Sequence, residues 1–146
     1  MEFPKEQLSK VLSQEMCDID GDFLGFTDVY EHLAAIIPKH WTIVDLGCAY
    51  APQSWIFKDH KEYIGVDKSD CEKFHAPNSS FFISSIEEFV KNHLKEFDQE
   101  TTFAICSYVP PWGADNMKIA RDNFKNVFTY YPSGERVNLE ELSNPK

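Results

Sequence analysis

The sequence predicts an α/β protein built on a doubly wound, mostly parallel sheet of about five strands with helices on both faces. Three observations predict it. Short β-branched and apolar runs alternate with segments of helical period, the pattern of repeated strand–helix–strand units. The stretch 41–70, WTIVDLGCAYAPQSWIFKDHKEYIGVDKSD, reads as strand, small-residue turn, short helix and second strand, the second finishing in an acid. The 146 residues, 42% hydrophobic and 14% aromatic, suffice for one domain with a sizeable core and show no internal repeat, linker or low-complexity block. We read a single domain, with a helical cap over 1–40, an α/β core over 41–131 and a tail over 132–146.

Taken in order, Leu8, Val11, Leu12 and Met16 recur at helical spacing behind Pro4, which predicts an amphipathic first helix within 1–18 that covers the sheet or a pocket. Asp18–Asp22 is a turn, since it lacks the alternating ligands and closing glutamate of a calcium loop. Phe23-Leu24-Gly25-Phe26 leads into a second helix that Thr27 or Asp28 caps and Glu31 reaches back to. Val29, Tyr30, Leu33, Ala34, Ile36 and Ile37 form its buried side, and Pro38 helps to end it. The first strand holds Trp41, Ile43, Val44 and Leu46, and runs into the turn Gly47-Cys48-Ala49-Tyr50-Ala51. Pro52 suits the first turn of a helix, where its missing N–H costs nothing. Tyr63–Val66 is a buried strand that ends in Asp67.

A polar loop, Lys68–Asn78, precedes a third strand at Ser79–Ile83. Ser85-Ile86-Glu87-Glu88 is a capping box, and Ile86, Phe89, Val90, Leu94 and Phe97 keep helical spacing behind it. Thr102–Tyr108 is the fourth strand, 115–124 a helix and Val127–Tyr131 the fifth strand, ended by Pro132-Ser133-Gly134.

Composition excludes several roles. Net charge is −10, and the basic residues are two Arg and twelve Lys scattered singly, so a surface that displaces counterions from a nucleic acid is not expected. The acids read as solubilising charge, with a surface that mimics nucleic acid or a docking face for a basic partner as the alternative. No run approaches the ~18 apolar residues of a membrane span, and the N-terminus lacks a basic segment followed by an apolar core, so a cytoplasmic protein is expected. Cys17, Cys48, Cys71 and Cys106 show no C-x-x-C pair and are expected to be reduced. Cys71 and His75 share helical spacing, which alone does not make a zinc site, and no metal is expected.

The chemistry concentrates in two places. Where a strand turns sharply into a helix, small residues let a ligand approach backbone N–H groups closely. Gly47, Ala49 and Ala51 supply that space at relative positions 0, 2 and 4. The dinucleotide fingerprint puts glycines at 0, 2 and 5, where this chain has Pro52 at the last, so NAD is disfavoured. Asp67 follows the turn by about 20 residues, the spacing that brings a carboxylate to a ribose.

D-L-G-C-A-Y-A resembles the first motif of class I S-adenosylmethionine-dependent methyltransferases, Asp-x-Gly-x-Gly-x-Gly, and the similarity extends over about residues 27–131. The resemblance implies a truncated methyltransferase sheet that stops at five strands in the order 3-2-1-4-5. It implies that Asp45 orients the amino group of S-adenosylmethionine and that Asp67 accepts from both ribose hydroxyls. The implied cofactor-binding set is Asp45, Gly47, Cys48, Ala49, Ala51, Asp67, Lys68, Ser84 and Ser85, the serines standing where the family often carries an acid for the adenine. Phe26 and Tyr30 are pocket walls or core. Val109-Pro110-Pro111-Trp112 resembles the Asp/Asn/Ser-Pro-Pro-aromatic motif of amino-methylating members, which implies a catalytic role for Val109, Pro110, Pro111 and Trp112. Two departures stand out: alanines replace two motif glycines, and Val109 offers a target amine no acceptor. The expectation is therefore a methyltransferase-like protein acting on a small-molecule or protein acceptor, with a non-catalytic binding module of the same fold as the alternative.

Overall fold

The alternation of apolar runs and helical segments is realised as one parallel sheet. Its strands are Thr42–Leu46 (β1), Glu62–Asp67 (β2), Ser79–Ile83 (β3), Thr102–Ser107 (β4) and Val127–Tyr130 (β5). They lie in the order β3-β2-β1-β4-β5, every neighbouring pair parallel, as the sequence led us to expect. The helices are Phe23–Ile36 (α1), Ile86–His93 (α2) and Gly113–Asn123 (α3), with 3-10 turns at Pro52–Phe57 and Leu94–Glu96. A computed structural model describes residues 23–48, 51–70, 73–107 and 113–130. The expected first helix in 1–18, the Asp18–Asp22 turn, the Val109–Trp112 loop and the 132–146 tail lie outside them.

Parallel strands need covering on both faces, and β1 is buried at all five positions. Alternation sends Ile43 to one face, where it packs with Tyr30, Leu33, Ala34 and Ile37 of α1, Phe57, Tyr63, Phe103 and Ile105. Val44 and Leu46 face the other way, among Ile64, Val66, Ala104, Cys106, Ile86 and Phe89 of α2, and Ala120 and Phe124. Register sets a row across the first face: Phe81, Gly65, Asp45, Ile105 and Phe128 are successive neighbours from β3 to β5. A carboxylate therefore lies mid-sheet in a row that is otherwise apolar.

Two elements differ from expectation. α1 begins at Phe23, which leaves Thr27 and Asp28 inside the helix and not at its cap. The apolar spacing explains this, since Phe23 and Phe26 continue the series of Tyr30, Leu33, Ala34 and Ile37 toward the N-terminus. The segment after the glycine turn is a six-residue 3-10 helix. Polar bonds hold it to the loop before β3: Ser54 Oγ donates to Phe74 O at 2.8 Å and accepts from Ala76 N–H at 3.1 Å, and Asn78 Nδ2 donates to Phe57 O at 3.0 Å. Ser85 caps α2 as its motif requires, its hydroxyl accepting from Glu88 N–H at 3.1 Å. No described helix is long and apolar enough to cross a membrane.

Candidate functional site

Backbone hydrogen bonds gather the carboxyl ends of three strands into one rim. Val66 O accepts from the N–H groups of both Gly47 and Cys48, at 2.7 and 3.0 Å, and Asp67 O accepts from Ser84 N–H at 2.9 Å. The ends of β1, β2 and β3 are thus tied together. In an open α/β sheet, ligands bind outside the carboxyl ends of the strands, where the strand order reverses. Here that reversal falls between β1 and β4.

Gly47 has φ 88°, and a Cβ there would meet none of the described residues within 4 Å, so among them the turn is open at this residue. At Ala51 the chain is again left-handed, with φ 53° and ψ 37°, and its methyl is buried. The half-buried Asp67 uses Oδ1 to accept from Ser69 N–H at 2.8 Å, an Asx turn that fixes the carboxylate at the end of β2.

Asp45 is different. Its carboxylate is fully buried and receives three donors: Tyr30 Oη at 3.1 Å, Gln53 Nε2 at 2.9 Å and the hydroxyl of Tyr63. Gln53 Nε2 also donates to Cys48 O at 3.0 Å, which links the turn to β1. Burial pushes the Asp45 carboxyl up from 3.8 to about 6, against the three hydrogen bonds that favour its charge. Burial and the neighbouring Asp45 also hold the Tyr63 hydroxyl well above its usual 10, so it remains a donor. On the opposite face, burial pushes the Cys106 thiol up to about 12, which leaves it an inert core residue.

The structure brings Asp45, Gly47, Cys48, Ala51, Asp67, Lys68, Ser84 and Ser85 around the ends of β1–β3, while Ala49 and Val109–Trp112 lie outside the described residues. The side chains divide by direction. Cys48 and Ala51 are buried in the cluster with Tyr30, Phe57 and Tyr63, so what they lend the turn is their backbone. Lys68 is exposed. Ser84 Oγ donates to Ser85 O at 2.7 Å, and Ser85 is occupied by its cap.

One expectation is corrected. The amides of Gly47 and Cys48 do not point into a crevice but pair with Val66 O, and Ala51 N–H pairs with Cys48 O at 2.9 Å. The reason is that buried amides beyond the end of a ladder need partners, and the last carbonyls of β2 provide them. Sequence reasoning missed Gln53 and the hydroxyls of Tyr30 and Tyr63. The polar pair Gln53-Ser54 ahead of the apolar run Trp55-Ile56-Phe57 was the available signal.

No family model and no curated protein matches the chain. Two solved structures resemble its fold remotely. One is a proposed type II methyltransferase from Anaeromyxobacter dehalogenans, 14% identical, with a TM-score of 0.49 over 70% of this chain and 46% of that one. The other is a proposed methyltransferase from Streptococcus mutans in complex with SAH, 10% identical, with a TM-score of 0.48 over 69% of each chain. This chain thus spans less than half of the first structure's length.

Proposed function

We propose that this protein binds S-adenosylmethionine at the rim formed by β1, β2 and β3 and that it is a methyltransferase acting on a small-molecule or protein acceptor. One observation carries the reading: among the described residues the turn is open at Gly47, its amides are already given to Val66, and a carboxylate stands at the end of β2. A pyrophosphate would find no free N–H at Gly47, Cys48 or Ala51 and would meet Asp67, so a dinucleotide is a poor occupant. A sulfonium nucleoside asks for no phosphate donors, only space beside the turn and acceptors for its ribose. The residues fit such a group. Asp67 would take the ribose hydroxyls, the backbone at Gly47 would lie along the methionine part, and Lys68 and Ser84 would lie beside the base.

When bound, the cofactor supplies the methyl group and the thioether leaving group. The chain's share is then to hold and align, which suffices where proximity supplies most of the rate. Val109, Pro110, Pro111 and Trp112 are proposed for the acceptor side. The net charge of −10 favours an acceptor other than free nucleic acid, and a cytoplasmic site of action belongs to the same proposal. A second reading, a non-catalytic module of the same fold, is favoured by the closure of Asp45, which leaves its carboxylate committed to protein donors.

The test is calorimetric titration with S-adenosylmethionine, S-adenosylhomocysteine and NAD, with Asp67→Ala as control. Micromolar binding of the first two, weakened at least about tenfold in the control, is expected because hydrogen bonds to a charged group contribute about 1.5–3 kcal/mol each. A folded protein that ignores both at millimolar concentration, or that prefers NAD, removes the proposal. Binding without methyl transfer to any acceptor would select the module.

A further inference from the structure

We infer that Gln53 is a positioning residue for the ligand turn, and that Asp45 is the buried anchor it works from and not a ligand contact. The inference deepens the reading above and rests on it only for its ligand-binding arm. The Gln53 side chain is fully buried, and its one nitrogen reaches two acceptors on different elements, Asp45 Oδ2 on β1 and Cys48 O in the turn. Both partners are acceptors, so the amide can be oriented only one way: NH2 toward the pair, Oε1 away. Each hydrogen of the NH2 group is then engaged. The geometry is an internal clamp, closed across the turn that carries Gly47.

What the amide leaves unmade supports the same assignment. Gln53 Oε1 is buried without a hydrogen-bond partner among the described residues. A buried orphan acceptor is unfavourable, and an apolar side chain of this size would avoid it. What such a side chain lacks is a two-handed donor. Asp45 meanwhile has Tyr30 on Oδ1 and Gln53 and Tyr63 on Oδ2, and no exposed surface, so three of its about four acceptor directions are taken and it has no access to offer an ammonium group. Asp67, at the end of β2, remains the carboxylate within a ligand's reach.

The clamp predicts a local effect. Without it, Cys48 O loses its side-chain donor, while the backbone bonds of Gly47 and Cys48 to Val66 O and of Ala51 N–H to Cys48 O remain. The titratable groups facing the amide are Tyr30 from α1, Asp45 from β1, Cys48 from the turn and Tyr63 from β2.

The experiment compares wild type, Gln53→Leu and Gln53→Glu by amide hydrogen exchange and by S-adenosylhomocysteine titration at pH 5 and pH 8. In Gln53→Leu the amides of Gly47, Cys48 and Ala51 should exchange about tenfold faster, the worth of one or two hydrogen bonds, while those of β4 keep their protection. In Gln53→Glu the ionised side chain cannot donate and repels Asp45, whereas the protonated form donates once. Its binding and turn protection should therefore fall about tenfold below wild type at pH 8 and recover in part at pH 5, a profile that a merely space-filling residue would not produce. Turn exchange unchanged in Gln53→Leu, or a Gln53→Glu profile parallel to wild type, overturns the inference. If Gln53→Leu does not fold, the Gln53→Glu pair of pH values decides alone. If wild type binds no ligand but turn exchange responds as stated, the ligand reading fails and the positioning role stands.

Discussion

Gly65→Ala tests the packing beneath the site most directly. Gly65 is central in β2, and a Cβ added there would lie 2.6 Å from Phe81 Cδ1, 2.8 Å from Phe81 Cε1 and 2.8 Å from Cys48 Sγ. Carbon atoms prefer separations of about 3.5–4.0 Å, so something must move by most of an ångström. Neither neighbour yields freely, because Phe81 packs against Tyr63 at 6.3 Å between ring centroids and Cys48 is fully buried in the turn. Overpacking of this kind costs about 1–3 kcal/mol, and the lower entropy of the unfolded alanine chain returns about 0.4–1 kcal/mol at most. The net is about 1–2 kcal/mol. For a chain of 146 residues that is a fall in Tm of roughly 3–6 °C. Calorimetric or circular-dichroism melts read it, and adding Phe81→Leu should restore part of the loss because the two sites touch. A Tm within a degree of wild type would mean that Cys48 and Phe81 are not seated over Gly65 as described, and the account of the turn would go with it.

Three further outcomes follow from the same structure. Asp45 keeps its proton in the folded chain from 3.8 up to about 6, so its contribution to stability is full below the lower value and is lost as pH rises through the upper one. Between pH 4 and pH 7, Asp45→Asn should lack that loss, a difference of roughly 2–3 kcal/mol for a gap of about two pKa units, and an identical change of stability in the two proteins, read from urea unfolding, would refute it. His60 is buried, with Nε2 donating to Ile37 O at 3.0 Å, and burial holds its protonation below the usual 6.5. Its neutral form therefore supports folding above that value and the support is lost as pH falls, so an NMR titration should place its midpoint below 6.5, and a midpoint above would contradict the burial. Ala51→Gly relieves a left-handed residue, a gain of about 1–2 kcal/mol, but gives up a buried methyl worth about 0.8 kcal/mol and adds unfolded-state entropy of about 0.5–1 kcal/mol. Urea unfolding should thus find it within about 1 kcal/mol of wild type, whereas Ala51→Val, branched at positive φ, should lose well over that.

What the sequence determined by itself is what depends on local pattern. Runs such as Ile43–Leu46 and Tyr63–Val66 specify buried strands because short, mostly apolar runs between turn residues suit a parallel strand covered on both faces, and Ser85 with Glu88 specifies a helix start because the cap is a contact between near neighbours. The position of Asp67 after the glycine turn was legible for the same reason, since it depends on the length of one strand–helix–strand unit. Where Asp45 points was not. Its surroundings are Tyr30 from α1, Gln53 from the 3-10 helix and Tyr63 from β2, brought together by sheet register and by a helix that begins four residues before its expected cap. The fate of the turn amides was equally hidden, because their acceptor, Val66 O, belongs to another strand. Local chemistry fixes which backbone groups need partners. Only the packed fold decides who the partners are, because a hydrogen bond between elements depends on distances that no single stretch of sequence contains.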